Sequence, residues 1–171
     1  MMKVDDCSHT FEELSTSVLP AHMRRLQDAL AAPWKTSTFA ERGSGPETIA
    51  RQLGRDGDFK GCYVLADGGR PIYVGISRTV LARVRQHLTG TTHFNASLPY
   101  LMAQRRVQLR GSRDDAMQNQ AFHAAFEAAQ QQLRSCTVAA IQIENAIELY
   151  LFEVYAAMTL GTGEWNTFET H

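Results

Sequence analysis

Gly61-Cys62-Tyr63-Val64-Leu65-Ala66-Asp67-Gly68-Gly69-Arg70-Pro71-Ile72-Tyr73-Val74-Gly75-Ile76-Ser77-Arg78-Thr79-Val80-Leu81-Ala82-Arg83-Val84-Arg85-Gln86-His87-Leu88 is the stretch on which the reading turns. Gly61–Asp67 and Arg70–Ser77 are rich in Tyr, Val and Ile and flank a Gly-Gly turn, which predicts a β-hairpin. Centring that hairpin on Gly68 sets Tyr63 opposite Tyr73 and Gly61 opposite Gly75. Directly opposed residues share one face of an antiparallel pair. Glycine at such positions admits close approach of a backbone or a ligand. Residues 80–88 then show helical apolar spacing, with Ser77 placed to cap the helix start. Arg83 and His87 are four residues apart and share a helix face, while Arg85 points elsewhere. Each piece alone reads plainly, as core tyrosines, turn glycines and a solvated Arg/His face.

Together these residues resemble the GIY-YIG nuclease family. Its pattern is Gly-Ile-Tyr, a short gap, Tyr-Ile-Gly, then an arginine and often a histidine on the next helix. The first triplet here is Gly61-Cys62-Tyr63 and the second is Tyr73-Val74-Gly75. The family's arginine falls on Arg83 and its histidine on His87; Cys62 replaces isoleucine. The resemblance implies catalytic roles for Tyr63, Tyr73, Arg83 and His87, and substrate contacts for Gly75 and Arg85. It covers residues 60–88 and, on fewer positions, 137–168.

The family also uses a metal-binding glutamate on a later helix and often an asparagine beyond it. Residues 137–143 read as a strand, and 144–160 as a helix apolar on nearly all sides, hence largely buried. Glu144, Glu148 and Glu153 lie on it. Glu153 is surrounded by Leu149, Phe152, Val154 and Ala157, and a carboxylate there is costly without a cation or donors. Leu151-Phe152-Glu153 and the distance to Trp165-Asn166 also resemble the family pattern. Glu153 is therefore the expected metal ligand, and Asn166 is expected to brace the site or to contact the substrate by a hydrogen bond to phosphate. Glu148 is the second candidate; helix-dipole compensation accounts for Glu144.

The fold class predicted is α+β: a small antiparallel sheet, hairpin 61–77 plus strand 137–143, flanked by helices in a single domain. Residues 1–59 form an N-terminal helical extension, with helix expected over 10–32, interrupted or started again at Pro20, and from a capping box at Ser44-Gly45-Pro46-Glu47 to residue 53. Residues 89–136 form a helical insertion, with helices over 98–106 and 114–134.

At 171 residues the chain suits one compact core. Three cysteines without paired spacing read as reduced thiols. Cys62 alternates with Tyr63 and faces away from it, which argues against a thiol mechanism. A net charge of −1 argues against strong general affinity for nucleic acid. A local strip drawn from Arg78, Arg83, Arg85, Arg105, Arg106, Arg110 and Arg113 would suit phosphate contacts. No run suits a membrane span and Met1-Met2-Lys3-Val4-Asp5-Asp6 lacks a signal-peptide core, so a cytoplasmic location is expected.

The activity implied by the resemblance is metal-dependent endonucleolytic hydrolysis of phosphodiester bonds in DNA. Glu153 would hold one Mg2+ or Mn2+. Tyr63 would take the water's proton, with His87 receiving it onward or positioning the phenol. A phenol ordinarily ionises near about 10, so this needs nearby positive charge. Arg83 would offset charge on the pentacovalent phosphate, and Tyr73 would bond the phosphate or the water. One site per chain leaves a homodimer or successive nicks as routes to a double-strand cut. A catalytically silent nucleic-acid-binding module of the same fold is the alternative.

Overall fold

The computed structural model describes residues 4–109 and 112–168. A 3-10 turn (Val4–Asp6) precedes α1 (Phe11–Glu13), a π-helical stretch (Leu14–Val18) and α2 (Leu19–Ala31). There follow β1 (Trp34–Lys35), α3 (Ser37–Ala40), α4 (Pro46–Gln52), β2 (Gly61–Asp67), β3 (Arg70–Ser77) and α5 (Val80–Thr89). The chain continues through α6 (Ser97–Val107), α7 (Arg113–Gln118), α8 (Gln120–Arg134), β4 (Thr137–Gln142) and α9 (Ala146–Leu160). The fold class is α+β, with one sheet ordered β1-β4-β2-β3. Two compact units result: Met1–Trp34, Phe59–Val80 and Thr137–His171 form one, Lys35–Asp58 and Leu81–Cys136 the other.

In the first unit β2 is central, paired antiparallel to β3 and to β4. Gly68 and Gly69 have φ of +56° and +84°, the left-handed pair that a two-residue hairpin turn demands. The register differs from the one expected. Asp67 pairs with Arg70 across that turn, and an irregularity between Leu65 and Ala66 leaves Ile72 as an extra residue beside Pro71. Tyr63 therefore opposes Gly75, Leu65 opposes Tyr73, and Gly61 opposes Ser77. The shift is two residues, so every side chain keeps its predicted face.

Cys62, Val64 and Val74 point to one face and are buried with Ala139 and Ile141 of β4. The same cluster takes Leu19, Met23 and Leu26 of α2 and Leu149, Phe152, Ala156 and Ala157 of α9. Both helices thus cover the Cys62 face. Thr10 starts the N-terminal helix with a reciprocal cap: its side chain accepts from the Glu13 amide and Glu13 reaches back to the Thr10 amide. The helix passes Pro20 without a break because proline falls in the first turn of α2, where its missing donor is harmless. The cap foreseen at 44–47 does not form: Gly45 is the N-cap and makes no side-chain bond, although Pro46 opens α4 as expected.

The second unit is helical. Ala96, Tyr100 and Ala103 pack with Ala116, Phe122 and Phe126 to join α6, α7 and α8. The single helix foreseen over 114–134 is two, because Asn119 takes an extended conformation and caps α8 through the Phe122 amide. The predicted start at Glu144 also moves: Asn145 caps α9 by accepting from the amides of Ile147 and Glu148.

Gly61 has no room for a side chain, since a Cβ there would collide with the Ile141 carbonyl oxygen across the β2–β4 pair. Gly61→Ala is expected to lower stability by about 1–3 kcal/mol, the usual range for overpacking. Urea unfolding measures it, and an unchanged midpoint would contradict this packing.

Candidate functional site

Tyr63 and Tyr73 project from the face opposite Cys62, their ring centroids 6.2 Å apart at 51°. They meet diagonally, because the observed register opposes Tyr63 to Gly75. Tyr63 is only 1% exposed. Its ring lies across Gly75: a methyl group there would fall 2.5 Å from the phenol Cζ and oxygen. Gly75, expected as a substrate contact, is thus first the seat of the tyrosine ring.

Asn166 holds the free edge of β3. Its Oδ1 accepts from the Val74 amide at 2.9 Å, and its Nδ2 donates to the Val74 carbonyl at 2.7 Å. The loop after α9 therefore fixes the strand that carries Tyr73. Both contacts are to strand backbone.

The three glutamates separate clearly. Glu148 Oε2 lies 2.9 Å from His22 Nε2, and its Oε1 lies 3.7 Å from His9 Nε2. Arg25 bonds His22 Nδ1 at 3.1 Å, and since guanidinium can only donate, His22 carries its proton on Nε2 and gives it to Glu148. Glu148 is committed to this network. Glu144 precedes α9 and accepts from the Gln142 side chain. Glu153 is half-buried on α9 and has no hydrogen-bond or ion-pair partner among the described residues. Burial pushes its carboxyl above the usual range. Its helix lies on the Cys62 face, so Glu153 and the tyrosine rings start from opposite faces of the hairpin. Burial, aided by the Glu153 charge, pushes the Cys62 thiol up, so it is no nucleophile. All three cysteines are buried free thiols.

The second unit carries Arg83, Arg85 and His87 on α5. The Ser77 hydroxyl bonds Thr79, and the capping falls to Asp58, whose two oxygens accept from the Leu81 and Ala82 amides at 2.8 and 2.9 Å. At the other end Arg134 donates to the Leu88 carbonyl, and Gln130 to those of His87 and Gly90. Arg83 reaches the Asn95 carbonyl at 3.2 Å and Ser97 Oγ at 2.7 Å, with longer contacts to the Phe94 carbonyl and the Gln86 side chain. All four acceptors are neutral, so among the described residues no carboxylate offsets this cation. Arg85 donates to the Ser44 carbonyl at 2.6 Å and to Thr89, a structural tie. Of the remaining arginines, Arg106 bonds Gln132 and Arg113 lies over Tyr100. Arg110 and His171 lie outside the described residues, as do Met1, Met2 and Lys3.

His87 is 0% exposed. Burial, with a smaller contribution from the Arg83 charge, pushes its imidazole down to about 3. A ring held so far down stays neutral at neutrality, which suits the positioning role foreseen for it better than that of onward acceptor.

Asp58, Gln130 and Arg134 position the arginine helix but lie outside the motif. No local pattern marks them, because their partners are 23 to 46 positions away. Comparison with protein-family models, curated proteins and solved structures finds no match for this chain. Among the described residues no group of three or more His, Cys, Asp or Glu is arranged to hold a metal, and no helix is long and apolar enough to cross a membrane.

Two titrations follow. His87 has a folded value near 3 against about 6.5 when unfolded, so the unfolded chain binds the extra proton. Its contribution is complete above pH 6.5 and is lost as pH falls toward 3, by at most about 1.4 kcal/mol per unit. His87→Gln is expected to flatten the acid limb of stability against pH. Glu153 has the opposite sign: its folded value is raised, so the stability it allows at low pH is lost as pH rises through that value. Glu153→Gln is therefore expected to raise the thermal midpoint at pH 7; a lower midpoint would show a stabilising partner.

Proposed function

We propose that this protein is a GIY-YIG-type endonuclease that hydrolyses phosphodiester bonds in DNA with a divalent cation. The observation that carries the reading is Glu153: a half-buried carboxyl, shifted up by burial, with no partner among the described residues. Such a group is costly to keep unless it meets a cation in use. A lone carboxylate suits Mg2+, which retains most of its waters and takes its other ligands from phosphate. Mn2+ suits the same oxygen donors. Bound there, the ion would polarise the phosphate and neutralise charge on the leaving 3′ oxygen.

The chain's own residues supply the rest. Tyr63, as its phenolate, would take the water's proton as the water oxygen bonds phosphorus and the bond to the 3′ oxygen breaks, the charge left on that oxygen being neutralised by the cation. Tyr73 hydrogen-bonds the phosphate or the water. Arg83, fixed by neutral acceptors and uncompensated, offsets the charge of the pentacovalent phosphate. His87 remains neutral and orients its neighbours. Asn166 keeps the Tyr73 strand in place.

A second reading, a non-cutting nucleic-acid-binding module, is favoured by two observations. Tyr63 is almost completely buried, and α9 covers the face opposite the tyrosine rings. Supercoiled plasmid separates the two. With Mg2+ or Mn2+ the wild type is expected to nick it and with chelator it should not. Arg83→Ala and Glu153→Ala are expected to lose about a hundredfold or more in rate, the scale of one removed charge-stabilising group, while staying folded. Glu148→Ala should still cut. A folded Arg83→Ala protein that cuts normally excludes the assignment, and binding without nicking supports the module.

A further inference from the structure

The loop that holds Arg83 also presents an aromatic ring to solvent. Phe94 is 74% exposed, yet its ring is not loose: it lies 3.8 Å from the His93 ring, tilted by 40°. His93 is itself buried, 3.5 Å from Asp114 and 5.8 Å from the Tyr100 ring. The stack thus rests on the core shared by α6, α7 and α8. On the backbone side, the carbonyls of Phe94 and Asn95 accept from the Arg83 guanidinium, whose other branch bonds Ser97. One cation and one exposed ring are therefore fixed to each other through a single peptide segment. A lone exposed phenylalanine needs no explanation. A supported one, bound through its own carbonyl to an uncompensated arginine, pairs a phosphate site with a flat apolar surface.

We infer that Phe94 is a stacking platform for an unstacked base next to the phosphate held by Arg83. This rests on the nucleic-acid reading above and names the contact by which the strand would be gripped. A nucleic-acid strand carries a charged phosphate and a π-face one sugar apart, and proteins that grip unpaired strands combine these two contacts. Aromatic side chains also wedge between base steps of a kinked duplex. Residues 89–136 lie outside the family pattern, so this contact belongs to the part of the chain that distinguishes it.

The test uses the full chain, with metal chelated, and oligonucleotides bearing 2-aminopurine, both single-stranded and with one unpaired base in a duplex. Phe94→Ala is expected to weaken binding about tenfold, within the usual range for losing one stacked base. Phe94→Leu should weaken it similarly, and Phe94→Trp should restore it with tryptophan quenching that inorganic phosphate alone does not produce. All three should keep the wild-type unfolding midpoint, since the ring is exposed. Wild-type affinity in both Phe94→Ala and Phe94→Leu, with affinity lost in Arg83→Ala, overturns the platform and leaves the nucleic-acid reading intact. A wild-type protein that binds no oligonucleotide overturns both.

Discussion

The structure depends on how closely three strands approach without side chains between them. Gly61 lies against the Ile141 carbonyl, and Gly75 lies beneath the Tyr63 ring. A β-carbon at either position would push β2 from β4 or lift the phenol from β3. Gly61 and Gly75 thus set how closely the strands and the ring approach. They let an aromatic ring cross a strand, and the packed faces on either side follow from that.

The first unit also distributes its polar groups unevenly. Glu148, His22, His9 and Arg25 satisfy one another, and the Arg25 guanidinium also reaches the Gln142 carbonyl. Five residues along the same helix, Glu153 has no such company and is held above its usual ionisation range by burial alone. Networks of the first kind are structural; a half-buried carboxyl without a partner among the described residues is a candidate for a site. In the second unit Arg83 has a comparable status among cations, fixed by carbonyls and a hydroxyl instead of by a carboxylate.

The segment 89–136 is the scaffold of the arginine helix. Arg134 and Gln130 of α8 satisfy the last carbonyls of α5, which a helix end otherwise leaves open. The same segment contributes the loop that clasps Arg83 and displays Phe94. The segment 89–136 therefore decides where the Arg83 guanidinium is held.

Local chemistry determined much by itself. The Gly68-Gly69 turn, the alternation that separates Cys62 from Tyr63, the helix after β3 and the strand at 137–142 follow from short-range rules, so the sequence sufficed for them. It also marked Glu153, because its neighbours are apolar at helical spacing. What needed the tertiary structure was set by distant partners. The two-residue turn and the bulge beside Pro71 each moved the register by one; Asn119 broke a helix that periodicity alone makes continuous. Asp58 displaced Ser77 as a cap from 23 positions away. Glu148 became structural only when α2 brought His22 to it, and the His87 ring is held neutral only because the fold encloses it. Periodicity records which face a residue takes, whereas hydrogen-bond partners and desolvation depend on what the fold brings to that face.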